Sequence, residues 1–307
     1  MRPALAHVFE HVISKPRLDS YKGYFRTKSV EEAIGLYMWN SELSACFSVL
    51  LSFFEIALRN NVHRTMSQFY TQGVSSSHHW YDRMTLKPGT VRNIENVRYV
   101  GPPNKQKLRK PAPSPDEIVS RVSFGFWPGV LGTLDPRFAN QLFPGIFPHH
   151  PLNANPLDWK VDGTRKNALA FIYELNDFRN RIAHREPLWK FAAIKNTSVK
   201  PPIVILPASN NYADSIARLQ RLLGLFDAAM GAINQDFHAD LLQSSWRLRL
   251  DYLLTVRGFA RYKSLKHSPA TNTLTPTEFR RTFSLIVKGN QPVRIRRTNL
   301  RGVFIPE

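Results

Sequence analysis

From Val30 to about Phe69, apolar residues return every three or four positions: Ala33, Ile34, Leu36, Tyr37, Leu43, Phe47, Leu50, Leu51, Phe54, Leu58 and Val62. That spacing keeps one side of an α-helix apolar and does not suit a strand, whose side chains alternate. Ser29, followed three residues later by Glu32, has the form of a capping box and sets the helix start. At about 1.5 Å per residue the segment far exceeds an average helix, so a break is expected near Asn40 and Ser41. Its longest apolar run, Cys46 to Leu58, is interrupted by Ser48, Ser52 and Glu55. A membrane span needs about 18 nearly unbroken apolar residues, so the segment reads as a buried helix of a soluble protein.

A second stripe runs from Thr164 to His184 through Ala168, Phe171, Ile172, Leu175, Phe178 and Ile182, with Arg165, Lys166, Glu174, Asp177 and Arg181 outside it. Residues 4–14 suit a short amphipathic helix, and Pro115-Asp116-Glu117 opens another. The cluster Ser123-Phe124-Gly125-Phe126-Trp127 is expected in the core, and 212–233 with 237–254 reads as a helix pair. Residues 72–115, rich in Gly, Pro, Arg and Lys, read as a basic loop insertion with one helix near 90–98. The alternating runs Phe283–Val287 and Val293–Ile295 suit a small hairpin within a basic extension. The expected fold class is therefore mainly α, with a helical domain over 1–254 and a C-terminal extension over 255–307.

Charge narrows the partner. Lys and Arg number 42 against 23 Asp and Glu, a formal charge of +19. An excess of this size favours a polyanion, and 43% hydrophobic residues exclude a disordered polybasic chain. The single cysteine, Cys46, excludes an internal disulfide framework and a cysteine-rich zinc module, and it favours a cytoplasmic location. No phosphate-binding glycine loop, Gly-x-Ser-x-Gly elbow or His-Glu-x-x-His helix occurs, which argues against ATP-driven work, α/β-hydrolase chemistry and zincin proteolysis. His78 and Asp82, four apart in a serine-rich stretch, make a poor metal pair. No metal or other cofactor is expected.

The stretch Arg179-Asn180-Arg181-Ile182-Ala183-His184 ends the second stripe. Cleavage of RNA by its own 2′-hydroxyl needs a proton carrier and a positive group beside the phosphorane. A histidine suits the first role and a guanidinium the second. On an ideal helix Asn180 and His184 share a face, whereas Arg179 and His184 lie about 140° apart. Two copies meeting across a two-fold axis would bring both groups to one phosphate. The Arg-to-His spacing recurs at Arg2 and His7, so spacing alone does not single the stretch out.

Three blocks in order supply more: Lys15-Pro16-Arg17-Leu18-Asp19-Ser20-Tyr21 with Ala33 to Asn40; Phe54-Glu55-Ile56-Ala57-Leu58-Arg59-Asn60; and Ser123 to Trp127 joined to Leu175 through Trp189. Over about residues 10–230 they resemble the bacterial Abi-like (abortive-infection) proteins of the HEPN superfamily. The resemblance implies a HEPN-type helical bundle and a metal-independent endoribonuclease whose site forms in a homodimer. It implies a toxin or phage-defence effector, with a neutralising small RNA or a protein antitoxin as restraint. Arg179, Asn180 and His184 carry the matching catalytic signature. Glu55 and Arg59, with Arg181, are supporting candidates, although an intrahelical ion pair explains Glu55 and Arg59 equally well. Lys105, Lys107, Arg109, Lys110, Arg294, Arg296 and Arg297 are candidate RNA contacts. The alternative readings are a non-catalytic protein that holds a structured small RNA and a toxin component held inactive by a partner protein, and no membrane partner is expected.

Overall fold

The computed structural model of the chain describes residues 6–102, 105–196, 200–264, 273–289, 293–298 and 300–304. It is mainly helical. The helices are α1 (Ala6–Ile13), α2 (Lys15–Phe25), α3 (Val30–Tyr70), α4 (Pro88–Arg98), α5 (Pro115–Arg121), α6 (Phe126–Leu131), α7 (Ala139–Ile146), α8 (Asp162–Ala183), α9 (Tyr212–Ile233), α10 (Gln235–Leu242), α11 (Ser245–Leu253), α12 (Val256–Lys263) and α13 (Pro276–Gly289). Short strands form two antiparallel ribbons, β1 (Tyr99–Val100) with β2 (Lys107–Leu108) and β3 (Ile194–Asn196) with β4 (Ile203–Leu206). A three-stranded sheet joins β5 (Thr273–Leu274), β6 (Val293–Arg297) and β7 (Leu300–Phe304), in which β6 pairs parallel with β5 and antiparallel with β7.

The expected break in α3 does not occur. Ser41 and Ser44 donate their hydroxyls to Tyr37 O and Asn40 O, one turn back, and the buried Asn40 carboxamide accepts from Leu188 N at 2.8 Å. These polar side chains are satisfied within or beside the helix, so they do not compete for its backbone. At the start, Glu32 N donates to Ser29 Oγ, and the Glu32 carboxylate takes Lys28 N–H, one residue earlier than in the standard capping box. By length and composition the 41-residue helix does reach the threshold of a membrane span, with a mean hydropathy of 1.6 over its most apolar window. Core helices of soluble proteins pass the same test, and Leu43, Phe47, Leu50, Phe54, Leu58 and Val62 are buried here.

The chain divides into two compact units, and the boundary expected after residue 254 falls inside the first of them. That unit comprises Met1–Phe47, Pro187–Gln220 and Ser245–Glu307. Its core is aromatic. Trp189 lies 5.0 Å from Tyr21 and from Phe25 and 4.3 Å from Tyr24, while Trp39 meets Phe259 at 5.3 Å and donates Nε1–H to Leu253 O. The segment expected as one helix over 237–254 is two, parted at Gln243 and Ser244. Phe283–Val287, expected as a strand, lies inside α13, where Phe279 and Phe283 are one turn apart and both rings meet Phe304. The hairpin is β6–β7 instead.

The second unit comprises Ser48–Glu186 and Arg221–Ser244. Phe54 meets Phe124, Phe171 and Phe226 at 6.0–6.5 Å, and Phe143 stacks on Trp159 at 4.6 Å. Residues 72–115 are less of a loop than expected. Trp80 and Tyr81 are buried, and α4 places Ile94 and Val97 inside, because these apolar side chains outweigh the surrounding Gly and Pro.

His63 is buried beside this segment. Its Nδ1 accepts Trp80 Nε1–H at 2.9 Å, and its Nε2 faces Asp116 Oδ1 at 3.3 Å. Burial is the main cause that holds its pKa below the ordinary 6.5, against the pull of Asp116. Between that lowered value and 6.5 the unfolded chain binds the extra proton, so stability falls as pH drops through this window and levels off below it. The urea midpoint should therefore fall between about pH 7.5 and 5.5. A His63→Gln variant should show a shallower slope, the remainder coming from His79 and His150, which are shifted the same way.

Candidate functional site

Helix α8 exists because Leu169, Ile172, Leu175, Phe178 and Ile182 form its buried stripe. Arg165, expected on the outer side, is buried too; it donates to Trp159 O at 3.0 Å and pairs with Asp162. The far end of the helix is closed in a specific way. His184 is the C-cap and its N–H bonds Asn180 O at 2.9 Å. Arg185 then takes a left-handed backbone at φ 57, its N–H bonding Ile182 O, while Glu186 N bonds Arg181 O. This is a Schellman closure with arginine where glycine is usual, and Pro187 follows. The Arg181 side chain turns to the Glu186 carboxylate at 3.5 Å, which ties it to this closure.

The three signature residues fall on the last two turns. Arg179 and Asn180 are half-buried and His184 is exposed. Among the described residues none of their side chains has a hydrogen-bond or ion-pair partner within bonding distance. Helix α3 runs beside this end. Burial pushes the Glu55 carboxyl above its usual value, with Arg179 first and Arg59 second pulling it back, so Glu55 lies within electrostatic reach of both guanidinium groups. Among the described residues Glu55 and Arg59 do not close an ion pair within 4 Å; Arg59 donates instead to Asn60 Oδ1. The structure thus brings Glu55, Arg59 and Arg179 into one electrostatic cluster and sets His184 at the exposed helix end.

The basic candidates lie apart from this cluster in the chain. Lys105, Lys107 and Lys110 are exposed around β2. Arg109 is half-buried and shares Glu117 with Arg121, a residue to which the sequence reading gave no role. In the first unit Arg296 and Arg297 are exposed on β6, while the Arg294 side chain lies outside the described residues. Asp82 accepts both of its bonds from Arg98, which accounts for that carboxylate without a metal.

Comparison of the chain with protein-family models, with curated proteins and with solved structures finds no match. The functional reading therefore rests on the site itself.

A left-handed arginine is strained by roughly 1–2 kcal/mol, which glycine avoids at the expense of a freer unfolded chain. Arg185→Gly should raise stability by about 0.5–1 kcal/mol, read as a higher urea midpoint with unchanged slope.

Proposed function

We propose that the protein is a HEPN-type endoribonuclease that cuts RNA without a metal. One observation carries this reading: a guanidinium, a carboxamide and an imidazole, none closing a side-chain hydrogen bond or ion pair among the described residues, share the C-terminal end of α8 in a chain of charge +19. A half-buried arginine without a carboxylate within bonding distance is suited to a phosphate, and a solvent-reached histidine is suited to moving a proton.

In the reaction, a 2′-hydroxyl attacks the adjacent phosphorus and the bond to the 5′-oxygen breaks. The products are a 2′,3′-cyclic phosphate and a 5′-hydroxyl. His184 takes the 2′ proton in one copy of the chain, and His184 of a second copy protonates the leaving oxygen. Arg179 offsets charge on the phosphorane, and Asn180 orients the phosphate. Two copies are invoked because on an ideal helix residues five apart point about 140° apart, and a second copy brings its own histidine to the phosphate. Glu55, within electrostatic reach of Arg179, is the supporting residue. The proposed setting is a cytoplasmic defence effector restrained by a small RNA or a partner protein.

The test is cleavage of total RNA by the purified chain in EDTA. Cyclic phosphate ends are expected from the wild type. The rate should fall about 10²–10⁴-fold in His184→Ala and about 10²–10³-fold in Arg179→Ala. Equal cleavage by both variants removes these residues from the mechanism. Salt-sensitive binding without any product makes the protein an RNA-holding module instead.

A further inference from the structure

The C-terminal turn of α3 forms one wall of a groove of about 430 Å³, closed by the residues after the Trp80–Arg83 turn and by the Pro136–Phe138 turn. Its volume falls in the range of single-ligand pockets. The wall is aromatic: Phe69 lies 5.3 Å from Tyr70 and 5.1 Å from Phe138, which is more than a third exposed. Tyr70 is half-buried.

The groove carries two arginines in different states. Arg137 is paired: its Nε donates to both oxygens of Asp135 and its Nη2 to Oδ2, with its guanidinium 5.6 Å above the Phe138 ring. Arg83 is exposed and, among the described residues, makes no hydrogen bond or ion pair. It lies within electrostatic reach of Tyr70. Asp135, which also lines the groove, reaches the same ring, but its charge is met by Arg137, so Arg83 is the cation left over. The exposed Thr85 hydroxyl, also without a partner among the described residues, adds a donor and an acceptor.

An aromatic ring, a free guanidinium and a hydroxyl in a groove of single-ligand size match the three parts of a nucleotide: base, phosphate and polar edge. A cationic or purely apolar ligand would leave Arg83 unanswered. The bases of a duplex are not available for stacking, whereas those of a single strand are.

We propose that this groove is a strand subsite that takes one unpaired nucleotide of the RNA, its base against Tyr70 and its phosphate on Arg83. The assignment rests on the RNA reading above and extends it to single-stranded substrate. The test is fluorescence anisotropy in EDTA with a labelled unstructured RNA, the same sequence as a duplex, and free AMP as competitor. For Tyr70→Ala the single-strand Kd should rise about five-fold or more, and Tyr70→Phe should bind as the wild type does. Arg83→Ala, a surface change that leaves the core untouched, should weaken binding and lower the salt slope by about one. Duplex binding should not change. In cleavage assays the same variants should raise KM and leave kcat in place. Unchanged single-strand binding by both Tyr70→Ala and Arg83→Ala overturns the subsite and leaves the RNA reading standing. So does a loss seen for AMP alone. A wild type that binds no RNA overturns the RNA reading and the subsite with it.

Discussion

Two serine hydroxyls and one carboxamide let α3 run through its polar stretch. Ser41 and Ser44 return their hydrogens to carbonyls one turn back, and Asn40 accepts from Leu188 N. Back-bonding of this kind is compatible with a helix, and α3 runs unbroken over its 41 residues. Leu43 and Phe47 are buried in the first unit, and Phe54, Leu58 and Val62 in the second. The position of Glu55 and Arg59 follows from this continuity, since both are fixed by the register of α3.

At the site, charge is arranged to be partly answered. Glu55 is half-buried, and burial raises its pKa while Arg179 and Arg59 oppose that rise. One carboxylate within electrostatic reach of two guanidinium groups leaves the group of three with a net positive charge. It also restrains Arg179 without taking up its hydrogen-bonding fork, since no bond within 4 Å is closed among the described residues. That is a more useful state for anion binding than the closed pair of Arg137 with Asp135, where both oxygens are engaged.

Much of this was legible in the sequence where one periodicity dominated. The extents of α8 and α9, the start of α5 at Pro115 and the burial of Phe124, Phe126 and Trp127 all follow from spacing, helix-opening residues and aromatic clustering. The misreadings share a cause, which is side chains able to act locally in two ways. Asn40 and Ser41 looked like breakers because their partners, one 148 residues away, are not visible in sequence. Phe283–Val287 alternates like a strand, yet Thr275 and Glu278 form a reciprocal cap whose spacing announced α13. In the site, the sequence placed Arg179, Asn180 and His184 on one helix end and Glu55 and Arg59 as support, but the electrostatic reach from Glu55 to Arg179 shows only in the fold. Nor did it assemble Tyr70, Arg83 and Phe138, which come from three separate stretches and share no motif.

The closure of α8 shows why a strained residue can be kept at such a place. The bonds from Arg185 and Glu186 back to Ile182 and Arg181 fix the backbone of His184 while leaving its ring in solvent. A histidine on a free loop would be equally exposed but less well placed, and small errors in position weaken proton transfer steeply. Glycine at 185 would favour the same turn with less strain, but it would loosen the unfolded and partly opened chain next to the histidine. Arginine narrows those alternatives. The strain at φ 57 is held by the two backbone bonds that close the helix on either side of it.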